Sequence, residues 1–262
     1  MSTYLLCIKT VFRKNVVFRV DYILGIISTC LQIFISCAIW KALYGKHVEI
    51  NGISLAMVTT NFVIGLGLTN AFRVDDSVIQ RKLRDGSFAN ELLKPINIRA
   101  YILAENLGDI LFRILTNFLP SFIIAVIFIG VLPPVDAMAV CYSMISVVLG
   151  FGVFWALSSI IQMTAFWVMN VWSLSTIKNV FVNVLAGALL PLWFMPSSIM
   201  KIIKFTPFDS IYFTPVQIYL GELSGGDVWV YYGRQALWIV LLYSVSTVLW
   251  VFGRRRIVIQ GG

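Results

Sequence analysis

Residues 73–99 read RVDDSVIQRKLRDGSFANELLKPINIR, and this polar stretch, which we call the island, interrupts a strongly apolar sequence. Its charged residues are Arg73, Asp75, Asp76, Arg81, Lys82, Arg84, Asp85, Glu91, Lys94 and Arg99. The whole chain is 59% hydrophobic and only 12% charged, whereas soluble domains average about 25% charged. The composition therefore predicts a membrane protein that concentrates charge in one internal, water-facing segment.

Six apolar segments surround the island, and each approaches the length of about 20 residues that a membrane-spanning helix requires. They are residues 20–41, 54–72, 110–132, 137–161, 179–196 and 228–252. Asn61 and several glycines interrupt the second segment, but glycine is common where membrane helices pack closely. The sequence thus predicts an all-α polytopic membrane protein with six transmembrane helices, in which residues 1–262 form a single transmembrane domain.

The distribution of basic residues predicts the orientation of these spans. Most of the 20 lysines and arginines fall in segments that share one side, which the positive-inside rule assigns to the cytoplasm. Both termini and residues 73–101 between spans two and three, a coupling segment that contains the island, are then cytoplasmic. Because topology accounts for the net charge of +8, no basic patch remains for a nucleic-acid partner.

Residues 1–19 are predicted to form an amphipathic helix that lies in the cytoplasmic membrane interface. One helical face carries Leu5, Ile8, Phe12 and Val16, and another carries Lys9 and Arg13. The alternative is a plain cytoplasmic extension of the first span, but such a helix would overshoot the bilayer.

A different pattern precedes the last span, in residues 191–227. Prolines at 191, 196, 207 and 215 divide this segment into apolar pieces that are too short to cross a membrane. The pattern predicts short re-entrant helices on the outer side. Such broken helices are tolerated only where protein or a cavity covers their backbone.

The sequence predicts that the protein catalyses no reaction itself. It has no G-x-x-x-x-G-K-[ST] loop for phosphates, and His47 is its only histidine, which excludes most catalytic triads. The four cysteines show no C-x-x-C pair, so we expect no metal site, catalytic residue or bound cofactor. Glu105, Asp109 and Arg113 are spaced four apart, which favours ion pairs along one helical face.

Three segments resemble a known family. Asp85–Phe88 followed by Glu91–Pro95 is similar to the cytoplasmic G-x-[small]-x-x-x-L-L-x-[KR]-P segment of type-two ABC transporter permeases. Residues 187–192, with Met195-Pro196 and 206–208, resemble the outer re-entrant region of that family. The tail from Arg254 to Gly262 is similar to the short basic ending of one branch. The resemblance covers nearly the whole chain and is to bacterial exporter-type permeases.

The resemblance implies partners and roles. Two permease subunits, the same or related, would form the pathway in the bacterial cell membrane, and a cytoplasmic ABC ATPase dimer would bind ATP and magnesium. The ATPases would act on a coupling helix in the island, through Arg81, Leu83, Arg84, Asp85, Gly86, Phe88, Glu91, Leu92, Leu93 and Lys94. The outer re-entrant helices would help to gate the exit, with Pro191, Pro196, Pro207, Phe208 and Pro215. We expect Phe88 and Leu92 to matter more than any single base, because buried apolar anchors usually dominate an interface.

Two other function classes remain as alternatives. An ion-coupled secondary transporter would need an embedded acid and a discontinuous midplane helix. A membrane-embedded lipid-processing enzyme would need a catalytic set near the interface, for which Glu105 and Asp109 are the candidates. Polar residues within the spans suit amphipathic cargo, but the pattern favours ordinary hydrogen bonds between helices. They are Gln32, Asn61, Asn117, Gln162 and Asn183.

Overall fold

The computed structural model describes residues 3–17 and 19–256, and most of these are helical. The α-helices are α1 Thr3–Val17, α2 Arg19–Tyr44, α3 Leu55–Ala71, α4 Val78–Arg84, α5 Ser87–Leu92, α6 Ile98–Arg113, α7 Leu119–Phe128, α8 Ala137–Thr164, α9 Trp172–Leu185, α10 Ser197–Lys204, α11 Phe213–Tyr219 and α12 Gly226–Gly253. Strands β1 (Glu49–Ile50) and β2 (Ile53–Ser54) form a small antiparallel hairpin. The predicted all-α class is confirmed, while the last residues of the basic tail, 257–262, lie outside the described residues.

In the part of the chain that the structure describes, four helical segments are long and apolar enough to cross a membrane. They are Asp21–Tyr44, Ile98–Phe128, Ala137–Thr164 and Gly226–Arg256. They correspond to the first, third, fourth and sixth predicted spans. The second predicted span is the shorter apolar helix α3, which has 17 residues. The chain is therefore a polytopic membrane protein.

The fifth predicted span differs from the helix that forms. We predicted residues 179–196, but α9 begins at Trp172 and ends at Leu185. Its 14 residues extend about 21 Å, which is less than the roughly 30 Å of bilayer hydrocarbon. The helix ends there because Gly187 adopts a left-handed φ of 79° and Pro191 follows it. Apolar composition continues past this point, but the helical backbone does not.

Helices α6 and α7 are joined by a π-helical turn rather than by a loop. In the turn, Ile114–Phe118, the Leu119 amide donates to the Ile114 carbonyl five residues earlier. The cause is Pro120, which has no N–H to donate to the Thr116 carbonyl four residues earlier. The extra residue widens the helix locally, and such turns are frequent at functional sites.

The core surrounds α3, which is buried on nearly every side. Its Ile64 and Leu68 pack in one cluster with Phe151 and Phe154 of α8 and with Tyr212, next to α11. Helix α12 packs along α8, and α2 packs along α3. We call the end of this bundle that carries α4 and α5 the island end, and the other end, which carries α10 and the hairpin, the re-entrant end.

Helix α1 packs along α6. The Phe12 ring meets the Phe112 ring edge-on at 5.6 Å. Gly108 of α6 permits the close approach, because a Cβ there would lie 2.8 Å from the Ile8 carbonyl oxygen. On the predicted apolar face, Leu5 and Val16 are exposed. The predicted helix is present, and its place in the membrane interface stays a prediction.

Candidate functional site

The island folds into two short helices because its turn residues stop each of them. Helix α4 ends at Arg84, and Gly86 adopts a left-handed φ of 73°, which turns the chain before α5 begins. The Asp85 carboxylate then accepts the Ser87 amide at 2.9 Å, at the start of α5. Hydrogen bonds from the Ser87 hydroxyl and amide lower the pKa of Asp85. The charge at the turn is thus fixed by local structure.

Charged pairs hold the rest of the island surface. Arg81 forms an ion pair with Asp75, and this contact raises the pKa of the Arg81 guanidinium. The Glu91 carboxylate lies 3.2 Å from Lys82 and 3.1 Å from Lys94. Burial alone would raise the pKa of Glu91, but the bonds to the two lysines outweigh it and the pKa is lowered. Glu91 therefore joins α4 to α5 as a carboxylate.

Phe88 lies inside the protein, whereas the sequence analysis expected it to be an apolar anchor for a partner, a role that stays a prediction. Its side chain is only 2% exposed and packs with Ile79 and Met163. Its ring also meets Phe166 at 5.8 Å and Trp250 at 6.2 Å, both edge-on. The residue therefore attaches α5 to the ends of α8 and α12.

The outward surface of the island is formed by other predicted residues. Leu93 is 84% exposed, and Leu92 is exposed as well. Also exposed are Arg81, Arg84, Asp85, Gly86 and Lys94, whereas Leu83 and Glu91 are partly buried. This surface combines apolar and charged side chains and faces away from the bundle.

Helix α4 is bonded to the loop between α8 and α9, which the sequence did not indicate. The Gln80 amide donates to the Met169 carbonyl at 2.7 Å and its oxygen accepts the Val171 amide at 3.0 Å. Arg84 donates to the same Met169 carbonyl at 2.7 Å. A displacement of α4 would therefore move this loop.

A buried ion pair joins the island to α9. The Lys178 ammonium donates to the Asp76 carboxylate at 2.7 Å, and the two side chains are 6% and 1% exposed. Lys178 also donates to the Ser158 hydroxyl of α8 at 2.7 Å, and the Ser175 hydroxyl donates to Asp76. The sequence analysis assigned Asp76 and Lys178 only to charge counts. The one available signal was a lone lysine in an apolar helix.

The end of the island contacts α12 through Arg99, another residue whose role sequence reasoning missed. This buried guanidinium donates to Thr247 at 2.9 Å and Ser246 at 3.1 Å. It also lies 4.3 Å from the centre of the Tyr243 ring, a cation–π arrangement. The island is thus fixed to three helices of the bundle, α8, α9 and α12.

Residues 191–227, which the sequence predicts to be re-entrant, consist of short pieces whose boundaries coincide with prolines. Pro191 precedes a 3₁₀ turn, Pro196 precedes α10, and Pro207 precedes a second 3₁₀ turn, Phe208–Ser210. Pro215 lies in the first turn of α11, and the Phe208 ring stacks on Phe181 of α9. The segment turns at the prolines, as its sequence predicted.

Polar side chains of the neighbouring helices donate hydrogen bonds to backbone carbonyls of this region. Asn61 donates to the Gly187 carbonyl at 2.9 Å, Ser143 to the Pro215 carbonyl at 2.9 Å, and Gln235 to the Ser210 carbonyl at 2.8 Å. These bonds supply the protein cover that broken helices in a membrane require. They also show Asn61 in the structural role that the sequence favoured.

Gly150 of α8 allows the helix to pack closely against the backbone at Ile211, and we predict that a larger residue there destabilises the fold. A Cβ at Gly150 would lie 2.5 Å from the Ile211 carbonyl oxygen, and backbone cannot move aside as a flexible side chain can. Gly150→Ala is therefore expected to lower the free energy of unfolding by about 1–3 kcal/mol. The matched control is Gly233→Ala in α12, where no atom beyond the neighbouring backbone of the same helix lies within 4 Å of the added carbon. Thermal unfolding of the two variants in detergent measures the difference, and equal stability would contradict the prediction.

A family comparison agrees with this architecture. The family model described as "ABC-2 family transporter protein" matches residues 26–261. The chain belongs to the ABC-2 transporter family. It is therefore a membrane permease component of an ABC transporter, a class that is generally non-catalytic and associates with an ABC ATPase and a lipid bilayer. No curated protein and no solved structure is significantly similar to this chain.

In this ABC-2 permease, the acidic residues of α6 do not form the predicted ion pairs. Within the described residues, Glu105, Asp109 and Arg113 make no salt bridge to one another. The Asp109 carboxylate instead accepts the Asn15 amide of α1 at 2.6 Å. The i, i+4 prediction is wrong here because α1 packs on this face of α6 and takes the hydrogen bond.

Proposed function

We propose that this ABC-2 permease is the membrane-spanning subunit of an ATP-driven exporter in the bacterial cell membrane. Two permease subunits, the same or related, form the translocation pathway, and a dimer of cytoplasmic ATPases drives it. Both termini and the island lie in the cytoplasm. The observation that supports this most directly is the island itself, a folded pair of helices attached to the bundle on one side and exposed on the other.

The island has the mechanical property that coupling requires. An ATPase can act on the membrane helices only through a contact that has two arrangements and is joined to them physically. Gln80 and Arg84 join α4 to the α8–α9 loop, and the Asp76–Lys178 pair joins the same segment to α9. A force on the exposed face is thus passed directly to α8 and α9.

The ATP-binding step belongs to the partner in this proposal. The sequence has no phosphate-binding loop, so ATP and magnesium bind to the ATPase subunits. The exposed leucines supply apolar contact for the ATPase, while Arg81, Arg84 and Lys94 supply a polar rim. Interfaces of this kind usually depend on a few apolar residues at their centre.

Replacing the exposed leucines is expected to detach the ATPase without unfolding the permease. Leu93→Asp, alone and with Leu92→Asp, places a carboxylate where we propose apolar contact. The affinity should fall about thirtyfold or more, as expected for a central interface residue. Co-purification of the ATPase with the tagged permease measures the loss.

The matched control is Val48→Asp, because Val48 is 80% exposed but precedes the hairpin at the re-entrant end. This variant should retain the ATPase in full. Unfolding temperatures of all variants should equal that of the parent chain, since exposed positions contribute little to stability. Normal ATPase recovery with the double variant would refute the coupling surface, and proton-driven transport by the isolated chain would refute the ATP-driven function.

A further inference from the structure

A polar cavity lies at the island end of the bundle, away from α4 and α5. Its volume is about 410 Å³, and it lies between the first turns of α2, the end of α3 and the π turn after α6. Arg73 and Arg113 both line it, together with Asn70, Asn117 and Asp21. Such a concentration of polar groups is expensive beside a bilayer, and intramembrane ionisable residues usually mark a functional site.

The π turn shapes one wall of this cavity. It places Thr116 and Asn117 on the lining. The Asn117 oxygen accepts the Thr29 hydroxyl of α2 at 2.9 Å. The wall is therefore held in place by a bond between α2 and the π turn.

The two arginines are incompletely satisfied by the chain. Arg73 donates to the Asn70 oxygen at 3.1 Å. The Arg113 Nη1 atom is buried and has no hydrogen-bond partner within the described part of the chain. Neither guanidinium lies within 4 Å of a carboxylate in that part. A guanidinium offers five donors in a planar fork that matches the oxygens of a phosphate. Both guanidiniums line the cavity without a paired carboxylate in the described residues, so the cavity is suited to an anionic ligand.

The surface next to the cavity is apolar, which indicates that the anionic ligand also carries an apolar part. Leu24 lines the cavity and is exposed. Leu31 and Ile35 are also exposed, and they continue the same face of α2 toward the re-entrant end. In a membrane this face contacts hydrocarbon. A polar, cationic cavity that opens beside an apolar stripe fits an amphiphile with an anionic head.

We propose that this cavity binds the phosphate-bearing headgroup of an anionic membrane lipid through Arg73 and Arg113. The acyl chains lie along the exposed face of α2. Because residues of α2, α3, α6 and the π turn line the site, a bound headgroup contacts these helices together where they approach the island. The site is separate from the surface proposed for the ATPase, and its occupancy does not depend on that proposal.

The test is lipid retention by the purified full-length chain. After delipidation in detergent, the chain is incubated with phosphatidylglycerol or with phosphatidylcholine of the same acyl composition, and native mass spectrometry counts the lipids retained. Arg73→Gln and Arg113→Gln should each weaken phosphatidylglycerol binding about tenfold, the effect of losing one charge-assisted contact. Phosphatidylcholine should bind weakly to every form.

Arg13→Gln is the matched control, because it removes the same charge from an exposed position of α1 outside the cavity. It corrects for nonspecific attraction of anionic lipid to basic residues. Arg113→Gln should not unfold the chain, because it removes a buried charge that has no counter-ion. Its unfolding temperature without lipid should equal or exceed that of the parent.

Three results would overturn the proposal. One is unchanged phosphatidylglycerol binding by the Arg73→Gln/Arg113→Gln double variant. Another is equal retention of phosphatidylcholine by the parent chain. The third is displacement of the lipid by inorganic phosphate that itself stays bound, which would assign the cavity to a soluble anion.

Discussion

Lys178→Met is expected to lower the free energy of unfolding by about 3–5 kcal/mol, because it leaves the Asp76 carboxylate buried without its counter-ion. Asp76 is 3% exposed and has no other cation within 4 Å in the described residues. The Ser175 hydroxyl would remain as a donor, but a hydroxyl does not neutralise the charge. Thermal or denaturant unfolding in detergent measures the change.

The double variant Asp76→Asn/Lys178→Met distinguishes the loss of the whole ion pair from the loss of one of its two charges. With both charges absent, no ion is left desolvated, and much of the lost stability should return. Lys201→Met is the control, since Lys201 is exposed on α10 and should change stability by less than about 0.5 kcal/mol. If Lys178→Met matched this control, the buried pair would not contribute as the structure indicates.

The same variants should affect transport differently from ATP hydrolysis. In the assembled transporter proposed above, the double variant keeps the exposed island surface and therefore binds the ATPase. It lacks the ion pair to α9, so we expect ATP hydrolysis to continue while transport per ATP falls. An unchanged ratio of transport to hydrolysis would show that the Gln80 and Arg99 contacts are sufficient for coupling.

The parts of the island and the re-entrant region that sequence could predict are those fixed by local backbone chemistry. Gly86 breaks the island helices because glycine adopts positive φ without strain. Prolines stand at the starts of the short re-entrant pieces because a missing N–H is tolerated in the first turn but not in a helix interior. These effects act over a few residues. They need no knowledge of which helices become neighbours.

Long-range pairing is what the sequence could not supply. Asp76 and Lys178 are 102 positions apart, and nothing local to either residue indicates the other. The helix α5 has six residues, which is too short for a periodic pattern to show that Phe88 faces inward while Leu93 follows it on the outside. Similarly, apolar composition extended the fifth span beyond Leu185, because hydropathy does not detect a left-handed turn at Gly187.

The polar residues of the spans show an intermediate case. Their residue types predicted hydrogen bonds between helices, and the structure provides examples, such as the Gln32 oxygen of α2 accepting the Asn70 amide of α3 at 3.1 Å. The partners were not predictable, because several bond to irregular backbone rather than to another helix. Asn61 at the Gly187 carbonyl is one example.

Phe88→Ala is expected to lower the free energy of unfolding by about 3–5 kcal/mol, since it empties the centre of the cluster that attaches α5 to the bundle. The rings of Phe166 and Trp250 would lose their contact, and Phe88→Leu should restore most of the stability by refilling the volume. Leu93→Ala is the control, because its side chain is 84% exposed and should be nearly neutral.

Variants at Phe88 and Leu93 should also distinguish attachment of α5 to the bundle from docking of the ATPase. At a temperature where Phe88→Ala remains folded, it should retain more ATPase than Leu93→Asp does, because the exposed surface is still present. Leu93→Asp should show the reverse, with full stability and little ATPase. If Phe88→Ala proved as stable as the parent but lost the ATPase, Phe88 would be a docking residue after all, and the island would have to open when its partner binds.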